Sequence, residues 1–141
     1  MPAASCFVDT NILLYAISTD PVEALKTAEA QRLLTNENWG WSAQVAAEFI
    51  NASTSPRRPR PLSLAEAESW IDSWLSFPMT AVDGPMVKYA IHLALRYQIA
   101  YFDAQVIAAA KRLGCSVMYS EDLNHGQNYD GVRIISPFLI P

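Results

Sequence analysis

The chain has 141 residues, 51% of them hydrophobic, enough to bury the core of one compact domain without metal or disulfide staples. Ten basic against fourteen acidic residues give a net charge of -4, which excludes a protein whose whole surface attracts nucleic acid. No run reaches the roughly 18 apolar residues of a membrane span and the N-terminus lacks a signal-peptide pattern, so a soluble, cytoplasmic protein with one domain over 1–141 is expected.

In chain order, residues 6–8 read as a short buried strand, and residues 11–16 as a helical turn that begins directly after Asp9. Asp20, Pro21 and Glu23 carry the signals that open a helix, with a cap, a proline at the first position and a glutamate three residues on, running to about residue 34. A strand over 39–42 feeds straight into a helix over 43–53. Ser63 and Glu66 form a second capping box ahead of a helix with Trp70, Ile71, Trp74 and Leu75 on one face. A weaker strand at 79–82 precedes a helix over 85–98, and the helix over 102–114 takes Gly114 as its stop. A strand at 115–119, the polar loop SEDLNHGQNYDG and a strand at 133–135 complete the chain. Short apolar strands alternating with helices indicate an α/β fold, three layers with helices on both faces of a mainly parallel sheet.

Several residues outside this skeleton have competing roles. Arg57, Arg58 and Arg60 lie in PRRPRP, either a stiff linker between helices or a loop that touches phosphates or a protein partner. Cys6 and Cys115 sit in apolar runs and are expected as small buried hydrophobes. His92 is expected to pack within its helix, while His125 lies in a loop within reach of Asp122. Trp39, Trp41, Trp70 and Trp74 are expected in the core or in dimer contacts, with base stacking as the alternative.

The carboxylates carry the chemistry. In a parallel α/β sheet, ligands collect beyond the carboxyl ends of the strands where the strand order reverses. Asp9 follows one strand directly, and Glu121 and Asp122 follow another by two or three residues, so both acidic sites lie on one rim. Taken singly, Asp9 also suits a helix cap and Ser-Glu-Asp an ordinary turn. Asp103 shares its helical stripe with Val106, Ile107 and Ala110, which aims it inward, whereas Glu48 falls at the edge of the stripe of Val45, Ala46, Phe49 and Ile50. Two carboxylates about 4 Å apart repel by roughly 4 kcal/mol at an effective dielectric near 20, so converging carboxylates need a cation. No lysine or arginine adjoins any of the four in sequence, and an all-oxygen pocket suits Mg²⁺ or Mn²⁺. Such an ion can activate water against a phosphodiester, which is nuclease chemistry. No Gly-rich phosphate loop, Gly-x-Ser-x-Gly elbow or zinc-spaced Cys/His set competes with it.

At FVDTNILLYA, the glutamate of SAQVAAEFINA, YFDAQVIAAAKRLG and YSEDLNHGQNYDGVRIISPF, the sequence resembles the PIN-domain ribonucleases, and within them the VapC-type toxins of toxin–antitoxin pairs. The likeness spans nearly the whole chain in order. It implies that Asp9, Glu48, Asp103 and Asp122 are an acidic quartet binding Mg²⁺ or Mn²⁺, that Asn11 supports Asp9, and that Ser120 orients the pocket. The family's last motif is usually threonine, any residue, aspartate; Ser120-Glu121-Asp122 matches it with serine for threonine, and the acidic Glu121 leaves the fourth ligand open. The likeness also implies a homodimer, an antitoxin that blocks the pocket, and single-stranded or loop RNA as substrate. Two other classes compete with a nuclease. A receiver-type phosphoacceptor needs an acidic pair after its first strand and a lysine after its last, where this chain has Asp9 alone and Ser-Pro-Phe. A catalytically silent binding domain would keep the pocket only for docking.

Overall fold

The computed structural model describes residues 4–139, so the outermost residues of the expected 1–141 unit lie outside the described chain. Strand β1 (Cys6–Val8) is buried on both faces, as a central parallel strand must be. It leads through Asp9 into helix α1 (Thr10–Ala16), and a 3-10 turn at Pro21–Glu23 enters helix α2 (Ala24–Asn36). Asp20 caps that turn as expected, but Glu23 does not complete a capping box with it; the Glu23 carboxylate instead accepts from the Ser18 hydroxyl at 2.6 Å. Strand β2 (Trp39–Ser42) runs into helix α3 (Ala43–Ser53), whose first turn is capped by the Ser42 hydroxyl. Helix α4 (Leu64–Trp74) opens with the full Ser63–Glu66 capping box. Strand β3 is only Met79–Thr80, followed by helices α5 (Gly84–Tyr97) and α6 (Tyr101–Arg112).

Helix α6 ends in a Schellman motif. Gly114 has φ +76°, the Cys115 N–H donates to Ala110 O, and the Gly114 N–H donates to Lys111 O. Strand β4 is Val117–Tyr119, two residues shorter at its start than the sequence suggests, because that motif uses Gly114 and Cys115 to turn the chain. The loop expected between 120 and 131 contains a further strand, β5 (Asn128–Tyr129), in an antiparallel hairpin with β6 (Val132–Ile135). Asp130 (φ 51°) and Gly131 (φ 97°) form its two-residue turn, the Asp-Gly signature of a primed hairpin. The Asp130 side chain accepts from the Tyr89 hydroxyl and pairs with Arg96 and Lys111, which fastens the hairpin to α5 and α6.

The sheet order is β3-β2-β1-β4-β6-β5, parallel except for β5. The strand order therefore reverses between β1 and β4, which pair Phe7 with Met118 and Val8 with Tyr119. Trp39, Trp41 and Trp74 join Phe49 and Phe77 in an aromatic cluster, with Trp39 stacked on Phe77 at 4.2 Å. The α4 face is only partly covered: Trp74 is buried, while Trp70 and Leu75 remain exposed. Cys6 and Cys115 are buried free thiols, and burial pushes Cys6 up to about 12 and Cys115 to about 11, as inert core groups. His92 corrects its expectation. The buried side of α5 is Met86, Ala90 and Leu93, and at about 100° per residue His92 falls outside that stripe, exposed to solvent. No helix among the described residues is long and apolar enough to cross a membrane.

Candidate active site

Beyond the carboxyl ends of β1 and β4, the reversal point of the sheet brings Asp9 beside Ser120, Glu121 and Asp122. Asp9 serves as the N-cap of α1 and also faces β4. Its Oδ1 accepts from the Thr10 N–H at 2.8 Å, and its Oδ2 accepts from the Ser120 hydroxyl at 2.7 Å. One oxygen of Asp9 thus caps α1, while the other faces Ser120 beyond β4. Ser120 is fully buried, and its oxygen also accepts from the Asp122 N–H at 3.2 Å and the Asn11 side chain at 3.4 Å. Asn11 bridges the two loops: its Nδ2 donates to Asp122 Oδ2 at 3.1 Å and its Oδ1 accepts from the Glu121 N–H at 3.2 Å. Asn11 therefore holds Asp122 and Glu121, and the direct support of Asp9 comes from Ser120 and Thr10.

Helix α3 contributes Glu48 from an exposed edge position, and α6 contributes Asp103 from its first turn. The four carboxylates act on one another. Burial is the largest influence on Asp9 and raises it to about 6, against the Ser120 and Thr10 hydrogen bonds, and the charges of Asp122 and Glu48 raise it further. Although much of Glu48 is open to solvent, desolvation is again its largest influence and raises its carboxyl, with Asp103 and Asp122 adding repulsion. Asp103 is raised by desolvation and then by Asp122. None of these four forms an ion pair with a lysine or arginine among the described residues.

Glu121 behaves differently. Burial alone would raise its carboxyl, but the Lys26 ammonium at 2.6 Å and the Tyr15 hydroxyl at 2.7 Å outweigh this and hold it below the usual range. It is neutralised on the α1–α2 side of the rim. His125 is likewise engaged elsewhere, its Nδ1 accepting from the Ser136 N–H at 3.0 Å, which ties the loop to the end of β6.

The chemistry of the donor set fits a hard cation: it is all oxygen, mutually repelling, and without a lysine or arginine ion pair among the described residues. Among the described residues, no three carboxylate, imidazole or thiol groups are already gathered closely enough to hold a metal ion. The buried Thr10 hydroxyl lies on the Glu48 side of the site, where it opposes the rise of that carboxyl.

Sequence reasoning missed the partners of Glu48 and Glu121. Gln44 lies one helical turn before Glu48, a legible i, i+4 pair, and Gln105 is a lone amide in the buried run from Ala104 to Ala110. Lys26 lies far from Glu121 in sequence and leaves no local signal.

The PIN domain family matches the chain over residues 6–130. A search of curated proteins returned no significant match. Among solved structures, the chain is similar to a toxin–antitoxin complex from Klebsiella pneumoniae, with a TM-score of 0.69, 19% identity, and 96% of this chain and 100% of that one covered. It is also similar to VapC20 of Mycobacterium tuberculosis, a sarcin-ricin loop cleaving toxin, with a TM-score of 0.66, 19% identity, and coverage of 84% and 92%. A third is VapBC2 from Rickettsia felis bound to a DNA fragment from its promoter, with a TM-score of 0.63, 18% identity, and coverage of 92% and 96%. These identities speak to a shared fold, a mainly parallel α/β/α sheet. With the family match spanning most of its length, the chain belongs to the PIN domain family.

Proposed function

We propose that the chain is a metal-dependent endoribonuclease, the VapC-type toxin of a toxin–antitoxin pair, which hydrolyses RNA phosphodiester bonds. The observation that carries this proposal is the coupling of Asp9, Glu48, Asp103 and Asp122, four carboxylates from separate elements with no lysine or arginine ion pair among the described residues. These four would hold Mg²⁺ or Mn²⁺. When bound, the ion supplies positive charge that acidifies a water and stabilises the phosphoryl and leaving oxygens.

The chain's own residues prepare that site. Ser120 and the Thr10 N–H fix both oxygens of Asp9, and Asn11 fixes Asp122, so two of the four carboxylates are oriented in advance. Glu48 and Asp103 are raised by desolvation and by neighbouring carboxylates, a repulsion that a bound cation would relieve. Support for RNA comes from the described activity of the M. tuberculosis relative, and support for a cognate antitoxin from the Klebsiella and Rickettsia complexes. An exposed apolar stripe on α5, Val87, Ile91 and Leu95 at one-turn spacing, supports a homodimer.

The test incubates the purified, antitoxin-free protein and its Asp103→Asn variant with a structured RNA pool in Mg²⁺, Mn²⁺ or EDTA. Cleavage should require metal and fall by on the order of 100-fold or more in the variant, since it removes a charged ligand while keeping its shape. A variant that cleaves as well as the parent would refute the site. Metal binding without cleavage of any RNA would favour the silent binding domain.

A further inference from the structure

Glu48 differs from the other three carboxylates in having a longer, more freely rotating side chain on an exposed helical edge. Such a side chain has rotamer entropy to lose before it can face an ion. Gln44 opposes that freedom. Its Nε2 donates to Glu48 Oε1 at 3.1 Å and to the Phe102 carbonyl at 3.2 Å, bridging α3 to the first turn of α6. Its Oε1 accepts from Gln105 Nε2 at 2.7 Å, and Gln105 Oε1 accepts from the Tyr101 hydroxyl at 2.7 Å.

The polarity of this relay is consistent along its length. With Tyr101 donating to the Gln105 oxygen, the Gln105 nitrogen faces Gln44, and the Gln44 nitrogen faces the carboxylate. Gln105 is itself more than nine-tenths buried, in a run otherwise composed of Ala, Val and Ile. A buried amide is costlier than an apolar side chain of the same size unless its hydrogen bonds are used, and here both ends are used. Apolar packing does not explain an amide at this position; a requirement at Gln44 does.

We propose that Gln44, itself held by Gln105 and Tyr101, is a positioning residue that fixes Glu48 on the rim beside Asp103 and Asp122 before a cation arrives. This rests on the metal-dependent reading of the site. Gln44 acts through Glu48 and does not itself touch ion or substrate.

The test measures Mn²⁺ binding by calorimetry and by the electron paramagnetic resonance signal of free ion, with Tm and RNA cleavage alongside. It compares the parent, Gln44→Leu, Gln105→Met, Glu48→Gln, and each glutamine substitution combined with Glu48→Gln. Gln44→Leu should weaken Mn²⁺ binding by roughly 10-fold or more, the range seen when a ligand loses its outer hydrogen-bond partner. Gln105→Met should weaken it less, and neither should add to the loss already present in Glu48→Gln. If Gln44→Leu binds Mn²⁺ as tightly as the parent while Glu48→Gln does not, the positioning role is overturned and the metal site stands. If Gln44→Leu weakens binding equally with and without Glu48, it only staples α3 to α6, and the proposal is again overturned. If the parent binds no Mn²⁺, or Glu48→Gln binds it normally, the metal reading itself fails and takes this inference with it. Should Gln105→Met lose its fold in the Tm measurement, Gln44→Leu at its half-buried position decides the matter.

Discussion

Replacing Asp9 by asparagine isolates the cost of keeping an unneutralised carboxylate beneath the rim. Asp9 is 9% exposed, and burial first, then the nearby Asp122 and Glu48 charges, carry its carboxyl from 3.8 to about 6 despite two hydrogen bonds. The folded value lies above the unfolded one, so between them the folded chain keeps a proton that the unfolded chain has released. The stabilisation is therefore complete at low pH and is lost as pH rises from about 4 through about 6. At about 1.4 kcal/mol per pH unit the displacement amounts to about 3 kcal/mol, an upper bound once water and side-chain relaxation screen the charge. Asp9→Asn keeps the shape and removes the charge. In EDTA at about pH 7.5 the variant should be more stable than the parent by about 1–3 kcal/mol, or roughly 4–10 °C in Tm. Urea denaturation across about pH 4 to 8 should show the parent losing stability through this window and the two proteins converging at its acid end. Mn²⁺ should then stabilise the parent by mass action and leave the variant unmoved. Identical pH–stability curves in EDTA, or a variant less stable at about pH 7.5, would refute the electrostatic account of this residue.

Three further perturbations test other parts of the structure. Ser120→Ala leaves Asp9 Oδ2 and the Asp122 N–H without their buried partner and should cost about 1–3 kcal/mol in urea denaturation; an unchanged midpoint would show that water replaces the hydroxyl. Gly40→Ala places a Cβ 2.8 Å from Leu113 Cδ1 and 2.9 Å from Ala4 Cβ, and should destabilise by about 1–3 kcal/mol without altering metal affinity once folded. Replacing Arg57, Arg58 and Arg60 together by glutamine should leave Tm within a few degrees, because Arg57 and Arg60 are exposed and Arg60 makes only a 3.4 Å contact to Thr19. RNA cleavage or antitoxin binding should weaken, and any loss in RNA affinity should come with a shallower salt dependence; unchanged activity and antitoxin affinity would make the loop a stiff linker.

Local chemistry made most elements readable. The Ser63–Glu66 capping box, the Gly114 stop and the apolar runs at Cys6–Val8 and Trp39–Ser42 encode their own geometry, since caps, left-handed turns and buried strands are decided within a few residues. The short β5 was missed although Asp130-Gly131 signals its turn, because a two-residue strand has no periodicity of its own. His92 was misplaced because the 85–98 helix carries apolar residues nearly all round, Val87, Ile91 and Leu95 among them, and periodicity alone did not reveal which side is buried.

By itself the sequence determined the alternation of strands and helices, and with it the placing of Asp9 and Asp122 beyond strand ends on one rim. The roles of the neighbouring groups were decided only by tertiary structure. Glu121 and Asp122 are adjacent in sequence, yet Lys26 and Tyr15 neutralise the first while Asn11 turns the second toward Asp9, Glu48 and Asp103. Likewise, Gln105 reads as an anomaly in an apolar helix until α3 is packed against it and Gln44 closes the link to Glu48. The physical reason is the same in each case: a carboxylate's charge state and direction depend on groups within a few ångströms, and those groups arrive from distant parts of the chain.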